Sequence, residues 1–480
     1  MRVLSSLIVS PERKQSHPKS VISTVGGALC RRSGEIAALV VAVARSFLAY
    51  IKPGFALIVA ASLSLPCHAQ APTATPLTLP QAEQTAIRNN PRIAVARLIA
   101  LAEGQVTRET RAAELPTITG NLTAVEAHTG TRITAGVLNN PSVFQRAAGG
   151  VTVSQLITDF GRTPDLVATA SLRAQAQASA QLATTADVLI AVDEAFYRAL
   201  GTQAVLKVAS DTVAARQTIS DRVGALTGAK LRSTLDLSFA NVTLAQAKLL
   251  QLDAQNANQE ALAALSTLLG NERPVLYTLV DELPTAPPPA PLDPEPLVAQ
   301  AFQSRPDLAA LNQQFSAAKK FSAAEHDLIR PTVSALGAAG GTPVRDDTQI
   351  TSDWYGAVGV NINVPIFNGF LFSARAQEAD LRAAAARKQV DELRQAIARD
   401  VRTTVLQAQS NFQRIAVTQQ LLDQANIAFD LAQTRYRIGL SSIVELNQAQ
   451  LAQTQAQIDY ATARFSYQGS LAALRYQTGQ

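Results

Sequence analysis

Two stretches of this chain can form only very long helices. From about Gly161 to Val223, and again from about Phe370 to Tyr436, the one proline is Pro164, in the first turn, and interior glycine is almost absent. Without those two residues nothing breaks a helix. Stretches of this length span roughly 90–100 Å at 1.5 Å per residue, several times the usual helix. In the second stretch Val390, Leu393, Ile397, Val401 and Val405, then Leu422, Ala425, Phe429, Ala432 and Tyr436, recur at steps of three and four. That spacing is a coiled-coil seam. Alanines at 383–386 and between Ala174 and Ala180 permit close approach to further neighbours. Such stripes cannot be buried in a small globule, so the helices need partners along their whole length.

The chain also repeats itself once. Leu77–Pro91 resembles Leu292–Pro306, and Leu115-Pro116 matches Arg330-Pro331, both at an offset of 215. Beyond these the offset becomes 209, pairing Ile157-Thr158-Asp159 with Ile366-Phe367-Asn368 and Leu235-Asp236-Leu237 with Val444-Glu445-Leu446. One change of offset is what a single variable loop produces. Gly270 and Gly479 close the two copies. The expected organisation is a first repeat at 77–270, a Pro-rich linker within 271–291 and a second repeat at 292–480.

Each repeat predicts the same order of elements. A short helix ends before Pro91 or Pro306, and a second runs to about Glu114 or Ile329. A strand pair follows at about 116–158 or 331–365, and then the long hairpin. Ile118–Glu126 alternates, and Val358-Gly-Val360-Asn-Ile362-Asn-Val364 alternates more cleanly. Runs of this kind suit a half-buried sheet or a membrane strand. Gly149-Gly150 and Gly340-Gly341 read as hairpin loops. The long helices turn back at tips near 224–233 and 437–442. Ser233 and Ser442 are expected N-caps, each with an acid, Asp236 or Glu445, three residues on.

Lys52, the apolar run Phe55–Leu65 and the small residue Ala69 have the form of a secretory signal. Removing 1–69 takes eight basic and two acidic residues from a formal net charge of +5, leaving −1. No basic body then remains to hold nucleic acid. Both cysteines fall in this segment, so neither a disulfide nor a thiolate metal site is expected in the mature chain. Cys67 is a poor lipidation site, since small residues do not precede it.

Enzymatic readings find little support. His128 and His326 lie in no ligand-spaced cluster, and Asp159-Phe160-Gly161 reads as a strand-to-helix turn. No catalytic residue, metal ligand or cofactor is expected.

An exported tandem repeat with strand pairs between long helical hairpins resembles the TolC-type outer-membrane efflux proteins. Two motifs carry most of the resemblance: Val364-Pro365-Ile366-Phe367-Asn368-Gly369 at the strand exit, and Tyr436–Leu446 at the second tip. The resemblance covers 77–480. It implies a mostly α chain with four strands, three copies of which form a twelve-stranded membrane barrel and an α-helical periplasmic tunnel. It implies an exit duct that carries small molecules or proteins from an inner-membrane transporter, with a periplasmic adaptor at the far end and lipid around the barrel. The residues expected at the adaptor are Arg437, Ile438, Gly439, Leu440 and Ser441, with Leu231 and Arg232 from the other tip. The expected gate is Glu445 with Asp236; Gln448 stands where some relatives carry a second acid, so a carboxylate ring would be single. Gly369-Phe370 stands where Gly-Gly is common. Independently of the resemblance, four strands are too few to close a barrel in lipid, where open edges leave unsatisfied backbone groups. An exported coiled-coil scaffold without a channel is the alternative, but it has no use for alternating strands at matching places in both repeats.

Overall fold

Each half of the chain lays one unbroken helix alongside two shorter ones. The computed structural model describes residues 75–126, 146–273, 275, 277–281, 289, 291, 293–344 and 353–479. The signal-like segment, both cysteines, His128 and most of the Pro-rich linker lie outside the described residues. In the first half β1 (Thr75–Leu77) leads into α1 (Leu79–Asn89) and α2 (Pro91–Arg111), then β2 (Thr117–Val125) and β3 (Arg146–Thr158). The hairpin α3 (Arg162–Gly228) and α4 (Thr234–Leu268) follows, and then β4 (Tyr277–Leu279). The second half gives α5 (Glu295–Ser304), α6 (Pro306–His326), β5 (Thr332–Val344), β6 (Trp354–Asn363), α7 (Leu371–Arg437) and α8 (Ile443–Thr478). Both α3 and α7 are 67 residues long, about 100 Å.

The Asn-Pro and Arg-Pro signatures mark joints. Pro91 and Pro306 open α2 and α6, where a missing N–H costs nothing. Asn90 accepts from the Arg92 N–H at 2.9 Å and donates to the Leu268 carbonyl at 2.8 Å, clipping the start of α2 to the end of α4. Arg305 performs the matching task with different chemistry. Its guanidinium pairs with Asp307 at 2.6 Å, reaches the Gln477 side chain at 2.5 Å and lies over the Tyr476 ring. Gly270 and Gly479 end the return helices with positive φ, and a Cβ on Gly270 would stand 2.5 Å from the Asn89 carbonyl oxygen. Along α3, then, α2 and α4 form one spliced rod.

The helices make a single layer. Nearest the sheet its order is α2, α3, α6, α7, and toward the tips it is α4, α3, α8, α7. Val188, Val192 and Leu200 of α3 pack with Leu265 of α4, Phe465 of α8 and Ala82 and Ala86 of α1. Val298 and Ala301 of α5 pack on Val390, Ile397, Val401 and Val405 of α7, the seam expected from the spacing. β1 and β4 pair in parallel, and together with α1 and α5 they make a belt beside the long helices.

The other four strands form one antiparallel sheet in the order β2, β3, β5, β6. Here one expectation is corrected. Gly149-Gly150 and Gly340-Gly341 are not loops but lie inside β3 and β5, directly paired as Gly149–Gly341 and Gly150–Gly340. The reason is Tyr355. A Cβ on Gly340 would stand 2.5 Å from its hydroxyl, and one on Gly150 would overlap it. Gly150 and Gly340 clear a bed for that ring, while a Cβ on Gly149, on the other face, would stand 3.1 Å from Leu122.

Candidate channel wall and tip

The strand register sorts the sheet into two unlike faces, because residues directly across a ladder share a face and neighbours alternate. Ile118 pairs with Val153, Val153 with Gly337, and Gly337 with Val358. Followed along the strands, that face carries Ile118, Leu122, Val151, Val333, Trp354, Val360 and Ile362, with small residues between them. Its polar residues are Gln155 and, past a bulge, Thr158, both near the helical end; the Gln155 amide donates to the Glu114 carbonyl. The opposite face carries Thr117, Thr119, Asn121, Thr123, Thr152, Ser154, Ser334, Asn361 and Asn363, with Val125, Leu156, Leu336 and Tyr355 among them. Leu122 and Val358 are 94% and 93% exposed. In water that apolar face would be a large exposed patch; against hydrocarbon it is matched.

Where strands meet long helices, both halves use two consecutive left-handed residues: Phe160 and Gly161 (φ 54° and 118°), then Gly369 and Phe370 (62° and 67°). Phe370, not a glycine, sits in this strained region, a cost of about 1–2 kcal/mol. Its ring meets Phe367 edge-on with centroids 5.8 Å apart. Asp159 accepts from the backbone N–H and the hydroxyl of Thr163 at 2.7 and 2.5 Å, so Asp159-Phe-Gly is a helix-opening turn. Below it, the buried Glu325 carboxylate bridges Arg375 at 2.9 Å and Arg162 at 4.0 Å, tying α6 to α7 and α3. His326 ends α6 and meets Asp380 at 3.1 Å, and hydrogen bonds from Ser322 and His326 lower the Asp380 carboxyl.

The layer's edges are unlike its interior. Val95, Leu98 and Leu101 on α2, Leu235, Phe239, Val242, Leu249 and Leu252 on α4, and Leu406, Val417, Leu421 and Leu431 on α7 are all exposed. They sit on the helices with no neighbour on one side.

At the far end the two tips have the same backbone. In each, the third residue of the turn is left-handed, Lys230 (φ 59°) and Gly439 (φ 83°). The next N–H reaches back five residues, Leu231 to Leu226 and Leu440 to Arg435. Ser233 and Ser442 accept from the N–H groups of Asp236 and Glu445, at 3.1 and 3.3 Å. Leu231, Ile438 and Leu440 are 60–70% exposed, and Arg437 and Gly439 are exposed beside them. Arg232 is engaged instead. It donates to the Tyr436 carbonyl at 3.1 Å and lies 4.5 Å over the Tyr436 ring, fastening one tip to the other.

The Glu445 carboxylate is likewise held within its own chain, accepting from the Ser441 hydroxyl at 2.8 Å and lying 3.6 Å from Arg435. Gln448 is exposed one turn on, and Asp236 is half-buried on the neighbouring hairpin. Above the tips Arg216 of α3 is buried against Asn447 of α8 at 3.3 Å, and desolvation lowers its pKa to about 10.

Three features escape sequence reading: the Arg232–Tyr436 clasp, buried Arg216, and Asp193 of α3. Burial first, then the Glu83 carboxyl, raises Asp193 to about 7. All three depend on partners from distant parts of the chain, and no local spacing signals them.

The family model for outer membrane efflux proteins matches residues 83–271 and 297–480. No curated protein matches the chain. Among solved structures, the Campylobacter jejuni CmeC outer membrane channel is similar at 15% identity and a TM-score of 0.73, covering 84% of this chain and 85% of that one. The open-state Neisseria gonorrhoeae MtrE outer membrane channel is similar at 20% identity and a TM-score of 0.71, covering 84% and 88%. A membrane protein from Pseudomonas aeruginosa gives 20% and 0.71, with 84% and 93% covered. With both halves matched in order, the chain belongs to the outer membrane efflux protein family, TolC-type channels seated in the outer membrane with their helices in the periplasm.

Proposed function

We propose that three copies of this chain close into one duct, the outer-membrane exit of a tripartite export system. The observation that carries this is the four-stranded sheet, apolar on one face, polar on the other and unpaired along β2 and β6. A sheet edge left open in hydrocarbon costs several kcal/mol per unsatisfied group. Pairing β6 of one copy with β2 of the next removes every edge after three copies and gives twelve strands. The same closure lets α7 of one copy cover α4 and α2 of the next, burying both exposed stripes. The Thr/Ser/Asn face then lines a wet lumen and the apolar face meets lipid. The belt of α1, α5, β1 and β4 lies on one side of the helix layer and fits only outside a closed cylinder.

At the periplasmic end Leu231, Ile438, Gly439 and Leu440 form an apolar surface for a helical hairpin of a periplasmic adaptor, with Arg437 and Ser441 flanking it. The adaptor links the duct to an inner-membrane transporter, which selects the cargo, small molecule or protein. Three Glu445 and three Asp236 converge near the closed tip, where carboxylates in a narrow opening attract cations. Arg435 tempers that field.

Purified protein should sediment as a trimer in mild detergent and conduct ions in planar bilayers once Arg232→Ala loosens the tips. A monomer without conductance overturns the proposal. Leu440→Asp should abolish export in cells while leaving trimer yield unchanged; an equal loss of trimer assigns Leu440 to the turn alone.

A further inference from the structure

A hollow of about 510 Å³ lies across α3, α4, α7 and α8, within the size range of sites for drug-sized molecules. The belt-side contacts fix which side of the layer it occupies. Gln203 on α3 and Arg464 on α8 face the belt through Leu279 and Asp281, and Arg402 and Gln409 on α7 do so through Glu295 and Pro291. The lining residues Gly201, Ser466, Thr404 and Asn411 each stand two positions from one of these. Two positions are about 200° of helix rotation. The hollow therefore opens on the side away from the belt.

Its floor is set by glycines inside two facing helices. Glycine weakens a helix interior, so packing should be the reason for it, yet packing demands neither one here. A Cβ on Gly469 would meet nothing within 4 Å, and one on Gly201 would make only ordinary contact with Phe465 at 3.6 Å. What the two glycines do is keep the hollow open. On its rim Glu194 and Arg198 stand one helical turn apart, both exposed. Among the described residues they form no ion pair with each other or with any other side chain. Their charges cancel, so the rim favours no net charge, but it offers an acceptor and a bidentate donor at neighbouring positions.

We propose that this hollow is a binding site for small zwitterionic amphiphiles. The ligand's cationic group meets Glu194, its anionic group meets Arg198, and its aromatic body rests on the glycine floor beside Phe465. The inference rests on the reading of the chain as a trimeric duct, which turns the belt-free side toward the lumen and presents three such sites around the axis. A resting place there must be weak enough to release its occupant onward.

The test uses the mature trimer in amphipol and ε-dansyl-lysine, a fluorescent zwitterion, with neutral dansyl amide as comparison. Dansyl-lysine emission should shift to the blue and saturate. Gly469→Leu, which fills the hollow, should weaken binding at least tenfold. Glu194→Gln with Arg198→Gln, both on exposed positions, should remove the preference for the zwitterion over dansyl amide. Emission that rises without saturating, or binding unchanged by both variants, overturns the site. Sedimentation and conductance of the same preparations separate the two readings. A trimeric, conducting protein that fails to bind sinks only this inference, whereas a non-conducting monomer sinks the duct as well.

Discussion

Val358 and Gly359 are neighbours in β6, and an arginine should be ruinous at one and tolerated at the other. Val358 lies mid-strand on the apolar face, opposite Gly337, with 93% of its surface exposed. Gly359 points to the polar face, and a Cβ there meets nothing within 4 Å. Arginine on the lipid face near the bilayer midplane costs about 2–4 kcal/mol. Three copies carry the change at once, so Val358→Arg should cost the trimer about 6–12 kcal/mol. Gly359→Arg places its charge in water and should cost under about 1 kcal/mol per chain, in line with ordinary surface substitutions. The assay is the urea midpoint of trimer reconstituted in phospholipid vesicles, read by the loss of the heat-resistant trimer band. Equal destabilisation by both variants, or a greater loss with Gly359→Arg, would refute the assignment of faces and the register behind it.

Gly270→Ala should lower the melting temperature measurably in a thermal scan, because the new methyl meets the Asn89 carbonyl oxygen at 2.5 Å and φ is +82°. Lys230→Gly should do the reverse, relieving a left-handed lysine by about 1 kcal/mol. Glu445→Gln should reduce cation selectivity and block by multivalent cations in single-channel recordings, while Arg435→Gln should strengthen that block by freeing the carboxylate. Unaltered selectivity in both would leave Glu445 a capping residue. Asp193, raised from 3.8 to about 7, holds its proton more tightly folded than unfolded, so its contribution to stability falls as pH rises from about 4 to 7. Asp193→Asn should flatten that slope and raise the melting temperature at pH 8; a slope unchanged by the substitution would rule out the Asp193–Glu83 pair as its source.

Whatever a short window of sequence controls was readable without coordinates. The span of α3 and α7 follows from missing prolines, and the Val390–Val405 seam from spacing alone. The N-caps Ser233 and Ser442 hold the N–H groups that their spacing indicated. Glu445 shows where such reading stops: its carboxylate turns to Ser441 and Arg435 and leaves the Ser442 N–H. The glycine pairs misled for a similar reason. Gly-Gly favours turns in isolation, but here a tyrosine on the next strand needs the space, and that strand's register is a tertiary fact. The Arg232–Tyr436 clasp joins residues 204 positions apart, and Lys230 occupies a conformation that local preference would give to glycine.

The spliced construction of each half has an engineering consequence. Asn90 with Leu268, and Arg305 with Gln477, close joints at which one helix stops and another continues the line, while α3 and α7 run past unbroken. Length on the tip side of a joint is independent of length on the barrel side. Matched seven-residue insertions in α3 and α4, and in α7 and α8, would extend the reach by about 10 Å per heptad while keeping the seam in phase. Barrel, belt and joints would stay as they are, so the gap this duct can bridge is set by a segment that can be lengthened like a telescoping rod.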